Sequence, residues 1–318
     1  MVGLVVCVSG CGAGDGPATG SGGPFFEQPM FFNRDVSGAS PASNSDTIIS
    51  TLRADGGWGN GDRMQIDFGF DVLQADASTP RRSFTPTDDF YSPDCDEVEM
   101  PVPPAGNVEG ESGYACTGGG DCHLLVFDPG AGKLYEMWRA NIDGAFDGGC
   151  LAVWDSRQVY GDTLRGDQCT SADAAGFPIA PLLFTADEVA GGEIAHAIRF
   201  ILPNDRVQQQ YVRPATHGTD TTGGSTAASY GVHLRLKASF DVASLPSEGA
   251  KVVARAMQKY GMYHADGGNI ALTATSDRHT TAKWEGLLDS HDLASLRVED
   301  FEVIDHGAPI DLTLDCAR

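Results

Sequence analysis

Three side chains stand where strand periodicity places apolar residues, and each could do proton chemistry. In Lys133–Ile142 one face reads Leu134, Glu136, Trp138, Ala140 and Ile142, so the Glu136 carboxyl sits among apolar neighbours. Burial disfavours the charged form of a carboxyl and lifts its pKa toward the range useful for general acid or base work. His196 shares a face with Ile194, Ile198, Phe200 and Leu202, and His123 shares one with Leu125 and Phe127. Imidazole changes charge near neutrality, so both suit proton transfer. Taken singly, each histidine is a core residue with both nitrogens hydrogen-bonded, and Glu136 is half of an ion pair with Arg139 or Arg199. Three exceptions in one sheet point instead to a shared polar cavity. That reading depends on register, since a one-residue slip reverses every face.

Such a cavity suits three chemistries. A glycosidase needs two carboxyls across a groove, Glu136 with Asp121 or Glu193. A polysaccharide lyase needs a base near a sugar α-proton and a cation against the uronate; His123, His196, Tyr135 and Arg199 offer these. A transition-metal site needs several of Asp121, His123, His196, His217 and Glu193 to converge, although their spacing is not diagnostic. The sequence holds no G-x-S-x-G nucleophile elbow. It holds no C-x-x-C pair either, which removes zinc-ribbon and thioredoxin-like readings. The Asp-rich loops 55–62 and 88–99 could offer oxygen ligands to Ca²⁺, without EF-hand spacing. Trp58, in the first of them, is read either as a sugar-stacking platform or as a core plug.

The elements that would position these groups are short strands. Met64, Ile66, Phe68 and Phe70 alternate with polar or small residues, the period of a half-buried strand. Further strands are expected at Asp46–Leu52, Cys122–Asp128, Lys133–Ile142, Cys150–Ser156, Ala195–Leu202, Tyr230–Val242, Asn269–Ser276, Leu296–Asp305 and Ile310–Cys316. Residues 76–121 read as a long stapled loop. One helix is convincing: Ser247–Tyr260 puts Val252, Val253, Ala256, Met257 and Tyr260 on one stripe, with Gly261 to stop it. Thr185 and Glu188 have capping-box spacing for a short turn of helix, and a second short turn is expected at Ser290–Leu296. Without βαβ alternation, the expected fold is an all-β antiparallel β-sandwich, jelly-roll or lectin-like, with one packed α-helix, over residues 25–318.

Composition narrows the partners. The 318 residues include 44 acidic and 21 basic side chains, a formal net charge of −23. A polyanion is repelled by such a surface, which argues against nucleic acid. No apolar run approaches the ~20 residues of a membrane span. The start, through Val8-Ser9-Gly10-Cys11, resembles a bacterial lipoprotein signal in which Cys11 is acylated, although a basic n-region is missing. Residues 1–10 are then a signal and 11–24 a Gly-rich flexible tether. The implied location is the cell envelope, lipid-anchored or secreted, with membrane contact through the anchor alone. Loss of Cys7 and acylation of Cys11 leave six cysteines, an even number in a compartment that permits disulfides. Cys150 with Cys169 is the expected short-range bridge.

Several blocks resemble a family of secreted bacterial β-sandwich proteins without a settled activity. They are Asp121-Cys-His123, Leu134-Tyr135-Glu136, the stretch from Thr170 to Pro178, Gly192 to Phe200, Arg235 to Ser239, Lys259-Tyr-Gly-Met and Ala265-Asp-Gly-Gly-Asn269. The family's first block usually has arginine where Cys122 stands. The resemblance implies export and a β domain, points to His123, Glu136, His196 and His217, and supplies no reaction. The expected function is cleavage of an extracellular polysaccharide by hydrolysis or elimination. Glu136, His123 and His196 would be the catalytic groups, with Arg199, His217 and Tyr135 against substrate. The alternatives are a non-catalytic glycan- or protein-binding module and a metal-dependent enzyme on the histidines.

Overall fold

The structure, a computed structural model, describes residues 22–318. The signal expected at residues 1–10, Cys11 and all but the last residues of the expected tether lie outside the described residues. Among the described residues no helix is long and apolar enough to cross a membrane.

The chain is β-rich, and its sheets are mixed and open. The largest has six strands in the order Ile66–Phe70, Leu272–Thr275, Ile198–Leu202, Met262–Gly267, His233–Leu236, Phe301–Val303. Its first two strands pair in parallel, as do its third and fourth; the other neighbours are antiparallel. A second sheet orders Cys150–Asp155, Lys133–Trp138, Leu124–Asp128 and Val72–Gln74, the last joined in parallel. The all-antiparallel pairing expected from the sequence is therefore corrected. Hairpin-like spacing cannot distinguish a sequence neighbour from a strand that returns from far along the chain.

The second sheet is apolar on both faces. Leu125, Leu134, Ala152 and Trp154 enter the main core, while Leu124, Val126, Tyr135, Met137 and Leu151 enter a second, smaller one. Two-sided burial explains why these strands read as nearly continuous apolar runs.

The helix expected at Ser247–Tyr260 occupies Glu248–Lys259, with the Ser247 hydroxyl accepting from the Ala250 amide at 3.1 Å. The capping box of Thr185 and Glu188 is present at Ala186–Gly191. By contrast, Ser45–Ala54 is a helix, not the strand expected at Asp46–Leu52. Its β-branched residues favour a strand locally, but Ile48, Ile49 and Leu52 pack into the core at helical spacing. The Ser45 hydroxyl also accepts from the Val303 amide at 2.9 Å, so this helix covers the edge strand of the large sheet. Ser290–Leu296 forms turns without a helix. The long strand expected at Tyr230–Val242 breaks at Gly231, whose φ of 78° suits glycine, and a Cβ there would meet the Val212 carbonyl at 2.4 Å.

All six cysteines from Cys95 onward are bridged, but not with the expected partners. The bonds are Cys95–Cys150, Cys116–Cys122 and Cys169–Cys316, which corrects the Cys150–Cys169 pairing. Backbone bonds set this. The Asp96 amide donates to the Leu151 carbonyl at 2.7 Å, laying Cys95 beside Cys150, and the Ala317 amide donates to the Asp167 carbonyl at 2.9 Å, laying Cys316 beside Cys169.

Candidate active site

The predicted residues divide between sealed positions and two clefts. Glu136 is fully buried. Its carboxyl accepts from the Trp154 indole at 2.9 Å, from the Ile179 amide at 2.9 and 3.0 Å, and from the Ala180 amide at 2.8 Å. Burial outweighs these bonds and lifts its pKa to about 7. The shift is as expected, but three donors enclose the group, so it ties two strands to the Ala180–Leu182 turn. Glu136→Ala should leave all three donors without an acceptor, at ~1–3 kcal/mol each. Urea melts should show that loss, with activity per folded molecule retained. Lost turnover at unchanged stability would return Glu136 to the chemistry.

His196 is held on both sides. Nδ1 faces the Ala197 carbonyl at 2.8 Å and Nε2 faces Glu188 at 3.2 Å. Both partners are acceptors, and donating to both at once requires the protonated ring. Burial would lower its pKa, but Glu188 raises it above the ordinary value. The pair lines a cleft of about 570 Å³ walled by Phe25, Val72, Phe127, Pro181 and Leu183. Tyr135 is buried in the smaller core, its hydroxyl accepting from Arg81 at 2.6 Å.

His123, Arg199 and Asp266 build a second site. His123 Nδ1 meets Glu109 at 2.6 Å and Nε2 meets the Ala172 carbonyl at 3.1 Å, acceptors on both sides that suit the protonated ring. Burial opposes the charge, yet Glu109 beside it raises the pKa to about 9. Arg199, buried on the large sheet, grips Asp173 in two bonds of 3.0 and 2.7 Å, reaches Thr273 at 2.8 Å, and lies 3.4 Å from Asp266. Arg199 is thus a strut beneath the site, not a substrate ligand.

Asp266 reaches this site through a bulge. Phe200 pairs with His264, but Ile201 pairs with Asp266, so Ala265 is the extra residue. An extra residue shifts the alternation of a strand and re-aims the side chains after it. It turns Asp266 onto the face of Arg199, and the Ala265 carbonyl accepts from the Ala175 amide at 2.9 Å instead of joining the ladder. The Asp266 side chain remains 28% exposed. Burial and the charge of Asp173 raise its pKa to about 7, against the pull of Arg199, His123 and the Gly267 amide. Four acids (Asp67, Glu109, Asp173, Asp266) surround two cations, which is why Asp67 too is shifted upward, by burial first and then by Glu109.

Asp266 opens onto a cleft of about 240 Å³ that is also lined by Asp121, His217, Trp138, Tyr91, Asn204 and Thr219. The Cys116–Cys122 bridge pins the loop bearing Asp121. The Trp138 indole, at the end of its strand, donates to Asp121 Oδ1 at 2.6 Å. Tyr91 stacks on Trp138 at 6.4 Å and 29°. His217 Nδ1 faces the Ala174 carbonyl at 3.0 Å and so carries the proton, leaving Nε2 as a lone-pair acceptor. Burial holds the pKa of His217 below its ordinary value.

Metal ligation finds no support in this geometry. Asp121 and His217 line one cleft and His196 another. Among the described residues the one group of candidate donor atoms close enough to share an ion is Glu111, Cys116 and Cys122, and its two sulfurs form a disulfide. The convergence expected of Asp121, His123, His196 and His217 is therefore corrected. In loop 55–62 a guanidinium takes up carbonyl oxygens that could have served Ca²⁺: Arg206 donates to the carbonyls of Gly56, Gly57 and Trp58 at 3.1, 2.6 and 2.6 Å. In loop 88–99, Asp96 pairs with Arg165 and Arg318, and Asp94 accepts from the Thr170 amide. Trp58 is fully buried, its indole bonded to the Leu296 carbonyl, so it plugs the core.

Comparison with family models, curated proteins and solved structures finds no match for this chain.

Proposed function

We propose that this chain is a glycan-cleaving hydrolase of the cell envelope, with Asp266 as general acid and His217 as general base. One observation carries the reading. A single cleft holds a carboxyl whose pKa is raised to about 7 and an imidazole whose pKa is lowered from 6.5. Environments that push two titrating groups in opposite directions assign acid and base roles, because both then hold the needed state in one pH window. Asp266 donates its proton to the glycosidic oxygen. His217 Nε2 takes a proton from the water that attacks the anomeric carbon, and solvent returns both groups to their starting states. Tyr91, 46% exposed, offers aromatic surface to a sugar ring, whereas the Trp138 ring is already stacked by Tyr91 and faced by the Arg139 guanidinium at 5.5 Å.

Elimination needs a cation to neutralise a uronate. The cleft lining contains neither lysine nor arginine, and the head of Arg199 is engaged by Asp173 beneath it. Hydrolysis is therefore favoured over a lyase reaction. Three disulfides support an oxidising compartment, in keeping with a secreted or lipid-anchored protein. The Tyr91–Trp138 stack favours one second reading, a glycan-binding module without turnover.

A polysaccharide panel read by released reducing ends tests the reaction, and its pH profile tests the roles. Activity should be bell-shaped. It falls on the acid side as His217 gains a proton, below 6.5, and on the alkaline side as Asp266 loses one, at about 7. Retained glycan binding with no released ends would leave the binding module. A profile flat through neutrality would remove Asp266 from the chemistry.

A further inference from the structure

We infer that the paired strands His233–Leu236 and Met262–Gly267 carry an acid-triggered release, in which two enclosed imidazoles, His264 and His233, force the large sheet open when they must take a second proton. The inference stands apart from the reaction proposed above. His264 is fully buried, and neither of its ring nitrogens has a hydrogen-bond partner among the described residues. The Tyr230 ring lies at 4.6 Å and the Phe200 ring at 5.4 Å. A neutral imidazole there leaves one N–H without an acceptor; an imidazolium would leave two, with a full charge. Arg199 adds like charge, while the Ser229 and Asp266 carbonyls draw a proton without bonding the ring.

His233, on the adjoining strand, is also buried; its Nε2 donates to the Tyr260 carbonyl at 2.8 Å and its ring stacks on Tyr263 at 3.9 Å and 20°. Arg34, His306 and Arg235 all oppose a charge on it. Arg213, Asp162 and Asp305 line the same small cleft, but both acids are exposed, where water and salt screen them. Burial is the first cause at both rings and pushes them from 6.5 down to about 3. The unfolded chain takes a proton on each ring near 6.5, so each costs stability as pH falls from 6.5 to about 3. Glu136 and Asp266 work the other way. Their folded values of about 7 add stability as pH falls from 7 to the ordinary carboxyl values of 4.5 and 3.8. Two losses thus meet two gains through mild acid. Below 3.8 those gains are complete and the losses continue to about 3, which puts the release under the carboxyl range. Opening this strand pair carries away Asp266, two residues beyond His264.

Urea melts of the full chain across neutral and mildly acid pH test this, on the wild type, His264→Phe and His233→Gln. Phe keeps a ring between Tyr230 and Phe200, and Gln keeps an N–H for the Tyr260 carbonyl. Relative to either variant, the wild-type folding equilibrium constant should fall about tenfold for each pH unit below the ordinary histidine value, or roughly 10²-fold by about pH 4.5. The double variant should show about the sum of the two slopes. Assigned ring-nitrogen resonances of the folded wild type read the same point without a substitution, should a variant fail to fold: both rings should still be neutral at about pH 4.5. A pH curve parallel to the wild type for either folded variant, or a charged ring at either position in the folded wild type at that pH, overturns the inference.

Discussion

Asp266→Asn should lower turnover by about 10²–10⁴ while the protein stays folded, because the substitution removes the proton that the glycosidic oxygen must receive. The amide still offers Arg199 an acceptor oxygen, so the wall of the cleft should keep its shape. Stability gives an independent check of the same residue. The folded-state pKa of Asp266 is about 7, above the ordinary carboxyl value of 3.8. A group raised in this direction stabilises the fold below its unfolded pKa, and that contribution is lost as pH rises through about 7. Above about pH 7 the wild type carries an ionised Asp266 against Asp173, and the amide variant does not. Its melting temperature should therefore exceed that of the wild type on the alkaline side and converge with it on the acid side. Full activity in Asp266→Asn would end the assignment of the general acid. A stability gap independent of pH would mean that the carboxyl is not shifted.

The place of Asp266 is hidden in the sequence for a physical reason. Ala265-Asp-Gly-Gly-Asn269 precedes the strand expected from Asn269, and nothing local announces that Ala265 is a bulge that returns the next side chain to the face of Arg199. Glu136 shows the converse. Its apolar face is legible from period-2 alternation, as is the upward pKa shift that burial causes. The groups that close over it are not legible, since the Ile179 and Ala180 amides arrive from more than forty positions away. His217 lies on no strand whose period could place it. The base role proposed for it rests on the Ala174 carbonyl, which faces Nδ1 and leaves Nε2 free to accept. The helix at Glu248–Lys259 is readable because local signals and tertiary packing agree there, and Ser45–Ala54 is not because they conflict.

Arg199→Met should cost about 3–5 kcal/mol, because it strands Asp173 as a buried charge without its partner. The Asp173 side chain is completely enclosed, and that guanidinium holds its carboxylate in two bonds. The Arg199 stem also carries its charged head 5.5 Å from the centre of the Phe70 ring, so the substitution keeps an apolar contact and isolates the electrostatic loss. Denaturant melts read the cost. Adding Asp173→Leu to Arg199→Met should recover most of it, since replacing both members of a buried pair by apolar groups of similar size is often neutral. The effects on Asp266 oppose each other. Arg199 lowers its pKa and Asp173 raises it, so removing both leaves burial as the main cause and should shift the alkaline limb of the activity profile little. The double variant should thus keep KM and the position of that limb. A large rise in KM with stability restored would make Arg199 a substrate ligand after all, and would reopen elimination from an anionic glycan as the reaction.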